Sequence, residues 1–173
     1  AGEVLSQHAS DYQLNIANKF KRVPYEAAKQ MSDFSSWGLS VDGDLKPDVT
    51  LPGGMIYSSV NNGEYYMDRG TSMASPHAAG ATALVKQSLK ERFPHLTPEE
   101  LQILVKQMTM STAVPHVDEE TKAYSSVRQQ GAGVMDVTAA ALGDLYVTAK
   151  GEKSSLTLGN VKDTFEFDVT VHN

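Results

Sequence analysis

The chain has 173 residues, of which 40% are hydrophobic and 21% charged, with no cysteine and a formal net charge of −6. Its length fits about one domain, and its apolar content suits a packed core rather than a disordered segment. Disulfides, thiol catalysis and thiolate metal sites are excluded by the absence of cysteine, a phosphate-tracking nucleic-acid binder is disfavoured by the acidic balance, and no apolar run approaches the ~20 residues that span a bilayer. The opening Ala1-Gly2-Glu3 is acidic and lacks an apolar core segment, so no secretory leader is read there.

Taken from the start, Ile16-Ala17-Asn18-Lys19-Phe20-Lys21-Arg22-Val23 alternates in part and predicts a strand ended by Pro24. Lys19, Lys21 and Arg22 read as its solvated face rather than a binding patch. Between Gly38 and Gly54 the chain is punctuated by Asp42-Gly43-Asp44, Lys46-Pro47-Asp48 and Pro52-Gly53-Gly54. Asp42, Asp44 and Asp48 invite a calcium reading, since hard oxygen ligands suit that ion. They lack the spacing of a calcium loop, and a solvated turn is the preferred reading. Met55 to Val60 predicts a short strand, Asn61-Asn62-Gly63 the turn of a hairpin, and Glu64 to Met67 its second strand.

A helical pattern runs from Met73 to Phe93, with Pro76 tolerated near its start. It is apolar nearly all round up to Val85, which predicts burial within a larger protein, and Lys86, Lys90, Glu91 and Arg92 mark its emergence into solvent. Thr97-Pro98-Glu99-Glu100 is a helix start with cap, proline and first-turn acids in place. Leu101, Leu104, Val105 and Met108, with Met110 nearby, supply a stripe that reads as core. Asp118 to Lys122 predicts an exposed loop, and a third helix is expected from Asp136 to Leu142, after a flexible Gly131-Ala132-Gly133. Strands are then expected at Leu145–Thr148, Ser155–Leu158 and Thr164–Val171, the last placing Phe165, Phe167, Val169 and Val171 on one face.

The chemistry concentrates in Gly70 to Gly80, GTSMASPHAAG. Ser72 stands at the mouth of the long predicted helix, where unpaired N–H groups and the helix dipole favour negative charge. That suits an acyl-transfer nucleophile, whose tetrahedral intermediate carries an oxyanion. An isolated Gly-Thr-Ser would read as an ordinary N-cap.

The full eleven residues resemble the serine block of the subtilisin-type serine proteases, in which the first serine, here Ser72, is the nucleophile. Phe34-Ser35-Ser36-Trp37-Gly38 and Lys46-Pro47-Asp48-Val49-Thr50-Leu51-Pro52-Gly53-Gly54 are similar to the segments preceding that block, in order and spacing. Ser126 to Gly133 and Phe165 to Asn173 resemble stretches downstream of the serine in the large cell-envelope subtilases of streptococci and lactic-acid bacteria. That group includes casein-degrading proteinases and peptidases that inactivate complement anaphylatoxin or chemokines. The likeness covers roughly residues 30 to 173.

The resemblance implies an α/β fold: residues 1–142 as the C-terminal part of a subtilisin-like three-layer domain with a parallel sheet, and residues 143–173 as the first strands of a fibronectin-like β-sandwich. It implies a secreted or wall-attached endopeptidase acting on extracellular protein. No cofactor is implied for this stretch, although calcium elsewhere in the full protein is consistent with the likeness. In subtilisin the triad arrives in the order Asp, His, Ser, so two partners should precede Ser72. The upstream histidine, His8, is not in a His-Gly-Thr setting, no upstream aspartate stands in Asp-Thr-Gly or Asp-Ser-Gly, and no asparagine matches the oxyanion donor. An upstream segment carrying Asp, His and Asn is therefore the expected partner, beside a peptide substrate.

Neighbouring residues have blander readings. His77 is five residues along the helix from Ser72, a net rotation of ~140° and a rise of ~7.5 Å, so it reads as a satisfied core histidine rather than the base. Ser75 reads as a packing or hydrogen-bonding residue. Arg69, Tyr65 and Tyr66 are candidates for substrate contact, with a surface salt bridge as the alternative for Arg69. Two other readings of the whole remain. An α/β-hydrolase would need a glycine where Ala74 stands, with Asp118 and His172 as acid and base. A catalytically silent adhesive or structural fragment would carry the serine block unused.

Overall fold

The computed structural model describes residues 29–151, 153–156 and 161–173. The strand expected over 16–23, its basic cluster and His8 lie outside the described residues. The first hairpin pairs β1 (Ile56–Ser59) with β2 (Tyr65–Asp68), antiparallel, with Tyr57 opposite Met67 and Ser59 opposite Tyr65. A short turn at Asn61–Gly63 closes it, and Asn62 takes the left-handed conformation there, one that asparagine tolerates better than most residues. This is the hairpin expected from the sequence, shifted by one residue.

Helix α1 follows at Thr71–Arg92, beginning two residues earlier than its apolar pattern predicts. The reason is Gly70, whose φ of 148° lies in a region that glycine enters without a Cβ penalty, so the chain turns directly into the helix. Helix α2 (Pro98–Ser111) starts with the expected cap. Thr97 Oγ1 accepts from the Glu100 N–H, and the Glu100 carboxylate accepts from the Thr97 N–H. These bonds, the backbone one first, hold the Glu100 carboxyl below its usual range. A short helix α3 (Val127–Gln130) was not legible in the periodicity; α4 (Val137–Leu142) was, and Asp136 caps it through the Ala139 N–H.

The core lies where α1, α2 and α4 meet. Ala81, Val85 and Leu89 recur every four residues on α1 and meet Leu101, Leu104, Val105 and Met108 of α2, Met135 and Ala140. Arg92, at the end of α1, donates to the carbonyls of Ala141 and Gly143 and pairs with Asp144. It thereby satisfies carbonyls that the end of α4 would leave open.

The N-terminal half of α1 departs from expectation. Ala79, Gly80 and Ala83 are exposed and Leu84 is 60% exposed. The other described helices pack only on the C-terminal half, so the described residues leave the apolar wall around Ala79, Ala83 and Leu84 uncovered.

Gly131-Ala132-Gly133 is a second correction. It is a tight crossing rather than a flexible link: Ala132 N–H donates to Asp48 O, and Thr50 N–H donates to Gly133 O. A Cβ on Gly131 would run into the Pro47 and Asp48 carbonyls. Backbone approach this close requires glycine.

Strand β3 (Tyr146–Ala149) pairs antiparallel with β4 (Val169–His172). Ser155 and Leu156 belong to no strand, and Thr157 and Leu158 lie outside the described residues. Residues 164–168 are likewise not in a strand. Phe165 and Phe167 share a face, with rings 6.1 Å apart, but both are exposed. Among the described residues the strands pair only antiparallel, and the one parallel contact is the bridge between Thr50 and Val134.

Leu89 is fully buried, so Leu89→Ala should remove about 3 kcal/mol of stability. Urea unfolding of wild type and variant, compared at equal m-value, measures it; a change below about 1 kcal/mol would mean the three-helix junction is not the core.

Candidate active site

The segments likened to subtilase blocks are assembled into one unit. Gly70 N–H donates to Gly53 O at 2.8 Å, and a Cβ on Gly53 would lie 2.6 Å from Gly70 O and 3.1 Å from the Ala74 Cβ. The Pro52-Gly53-Gly54 turn is thus pressed against the start of α1, with glycine at the contact because no side chain fits. Thr50, in the same block, is stitched to 130–135: Thr50 Oγ1 donates to Gln130 O, and Met135 N–H donates to Thr50 O. Gly38 is held by Arg128, whose Nε donates to Gly38 O while Gly38 N–H donates to Arg128 O.

Ser72 is the second residue of α1 and is exposed. Met73 and Ala74 direct their N–H groups to Gly70 O. Among the described residues, no acceptor takes the N–H of Thr71 or Ser72, and no hydrogen bond engages the Ser72 hydroxyl. A 22-residue helix points its positive end at this spot, with no acidic residue in the first turn to offset it. Pro76 has no N–H to give the Ser72 carbonyl, so the first turn is open on both sides of the serine. A hydroxyl beside its own free N–H can attack a carbonyl and hold the oxygen that becomes charged.

The surrounding candidates fall out as follows. His77 is satisfied, donating from Nδ1 to Met73 O at 2.9 Å if that nitrogen carries the proton. It is exposed rather than core, because the half of α1 that bears it is uncovered. Its ring is turned to its own helix, in keeping with its rejection as the base. Ser75 is exposed too. Arg69 forms no ion pair among the described residues; its N–H donates to Asp68 Oδ1. Tyr65 and Tyr66 are exposed on the hairpin leading to Ser72, and Tyr65 stacks on Tyr57 at 5.6 Å.

The α/β-hydrolase partners are occupied elsewhere. Asp118 Oδ1 accepts from the N–H of Glu120 and Thr121 and from the Thr121 hydroxyl. His172 Nε2 bonds to Thr148 Oγ1, and its ring stacks on Tyr146 at 4.4 Å. His116 bridges Ser125 Oγ and Lys29 O. No described hydrogen bond joins a histidine to Ser72.

A profile of the subtilase family matches residues 8–157. The chain belongs to the subtilase family. This subtilase chain is 46% identical over 154 residues to a C5a peptidase of Streptococcus pyogenes, a stretch that is 88% of this chain and 13% of that protein. It is 42% identical over 119 residues to a PII-type proteinase of Lactococcus lactis subsp. cremoris, 64% of this chain and 6% of that protein. Among solved structures it is similar to a patellamide maturation protease, at 28% identity with a TM-score of 0.40, over 51% of this chain and 30% of that one. The subtilase chain thus spans a small fraction of the curated relatives it matches.

Asp48 shows how the blocks are secured. Its two carboxylate oxygens each meet a lysine, Lys46 at 2.7 Å and Lys106 at 3.2 Å. Partial burial pushes the carboxyl up, but the hydrogen bonds and charges of both lysines outweigh it and hold Asp48 below its ordinary value. Nothing in the sequence flags Lys106, 58 positions away on a solvated helix face.

A depressed carboxyl stabilises the fold above the ordinary aspartate value of about 3.9 and loses that contribution as pH falls through the lower folded value. The Tm gap between wild type and Asp48→Asn should therefore narrow as pH drops below about 4. Thermal melts across that range check it, and a gap that stays constant would remove the ion-pair account.

Proposed function

We propose that this chain supplies the nucleophile of a subtilisin-type serine endopeptidase. Ser72 attacks the peptide carbonyl, its own N–H helps hold the oxyanion, and an acyl-enzyme forms that water then releases. One observation carries this reading: an exposed, unengaged serine hydroxyl beside a free N–H at the positive end of a 22-residue helix. The base, the aspartate that orients it and the oxyanion asparagine come from an upstream segment, in the order Asp, His, Ser. That segment covers the apolar face of α1 around Ala79, Ala83 and Leu84, which the described residues leave open.

The substrates are extracellular proteins of the kind the family resemblance implies: complement anaphylatoxin, chemokine or casein. C5a peptidase and PII-type proteinase as relatives support a secreted or wall-attached location. In the described residues, no helix is long and apolar enough to cross a membrane. Residues 143–173 begin a fibronectin-like domain, of which β3 and β4 are an antiparallel pair.

In the full-length protein, a fluorophosphonate probe should label Ser72, and Ser72→Ala should abolish labelling and lower kcat by at least about 10⁴-fold. Undiminished labelling in that variant would place the nucleophile elsewhere; no labelling of wild type would favour a silent structural fragment.

Leu84→Asp separates a covered face from a free one. In the full-length protein it should lower Tm by several degrees, because it buries a charge against the upstream segment. An unchanged Tm would show that nothing covers that face.

A further inference from the structure

The hairpin before Ser72 is an arm rooted at the candidate active site. Gly53 precedes β1 and Gly70 follows β2, and the Gly70 N–H to Gly53 O bond joins them at the turn into α1. The arm therefore leaves the protein within a turn of Ser72. Side chains alternate along each strand. The register sets Tyr57 opposite Met67 and Ser59 opposite Tyr65, so these four share one face. None of them carries a charge; Ile56, Ser58, Tyr66 and Asp68 take the other face.

That uncharged face is open. Tyr57 and Tyr65 are 65% and 63% exposed, and Met67 is 40% exposed. The two rings are diagonal neighbours across the strands and stack with planes 25° apart, a contact that steadies the hairpin. Their exposure shows that stacking occupies only part of each ring. Rings already held by one another lose little further freedom when a third group is added, which is how tyrosine serves in binding surfaces. Met67 beside them can follow varied shapes.

We propose that Tyr57, Tyr65 and Met67 form a subsite for an aromatic side chain of the peptide substrate. An extended peptide advances ~3.3 Å per residue, as a strand does. Met67 and Tyr65 precede Gly70 by three and five positions. A peptide held at Ser72 and lying along the arm therefore meets this face about three to five residues from its scissile bond. The subsite rests on the peptidase reading and deepens it. It makes the substrate an extended segment with an aromatic residue at a set distance from the bond cut.

Mass-spectrometric profiling of the bonds that the full-length protein cuts in unfolded casein tests this. Wild type should show Phe, Tyr or Trp enriched about three to five residues from the bond, on one side. Tyr57→Ala/Tyr65→Ala should reduce that enrichment at least about threefold. Tyr57→Phe/Tyr65→Phe, which keeps the rings, should retain it, and so should Tyr124→Ala, which removes an exposed tyrosine elsewhere. Thermal melts establish that each variant folds. Enrichment missing from wild type, unchanged in the double alanine variant or equally lost in Tyr124→Ala would overturn the assignment. A lowered Tm with an unchanged profile in the double alanine variant would give the face to another segment of the protein instead. Fluorophosphonate labelling keeps the two readings apart: a labelled wild type without enrichment sinks the subsite alone, and one that neither labels nor cuts sinks both.

Discussion

Everything in this molecule hangs from the clamp on the C-terminal half of α1. Val85 and Leu89 are fully buried against α2 and α4, and Arg92 ties the helix end to the carbonyls beyond α4. A helix transmits position along its axis because its backbone hydrogen bonds fix every residue to the next turn. Anchoring one end therefore aims the other, and the other end carries Ser72. The serine is positioned by packing some four turns away, together with the Gly53–Gly70 contact at its own turn.

That division explains why the same helix looks buried in one half and bare in the other. A rod apolar all round must be enclosed to be stable in water. The described residues enclose the half that sets its direction and leave an open apolar wall on the half that presents Ser72. Ser72 and the open apolar wall thus lie on the same stretch of helix.

Electrostatics do separate work on the other flank. Asp48 joins Lys46, next to it in sequence, to Lys106 on α2. Through that pair the Lys46–Gly54 block is held to the helical layer while its far end presses on Gly70. The tail after β3 brings two further lysines to the same place. Their convergence follows from folding alone, since these lysines are separated by up to 107 positions and none forms a basic run.

The sequence by itself determined whatever depends on neighbours along the chain. The Thr97 cap, the helix that follows Asp136, the Asn61–Gly63 hairpin turn and the Leu101–Met108 stripe all follow from local spacing, and each is present. The GTSMASPHAAG block pointed to the family for the same reason, since its residues are contiguous. Only the tertiary structure decided that Gly131 to Gly133 is a crowded crossing, that α1 begins at Thr71, that His77 faces its own helix in the open, and that Arg128 reaches back to Gly38. These are matters of which distant backbone comes within a few ångströms. Periodicity and composition carry no record of that, because the contact belongs to the pair of segments and to neither one alone.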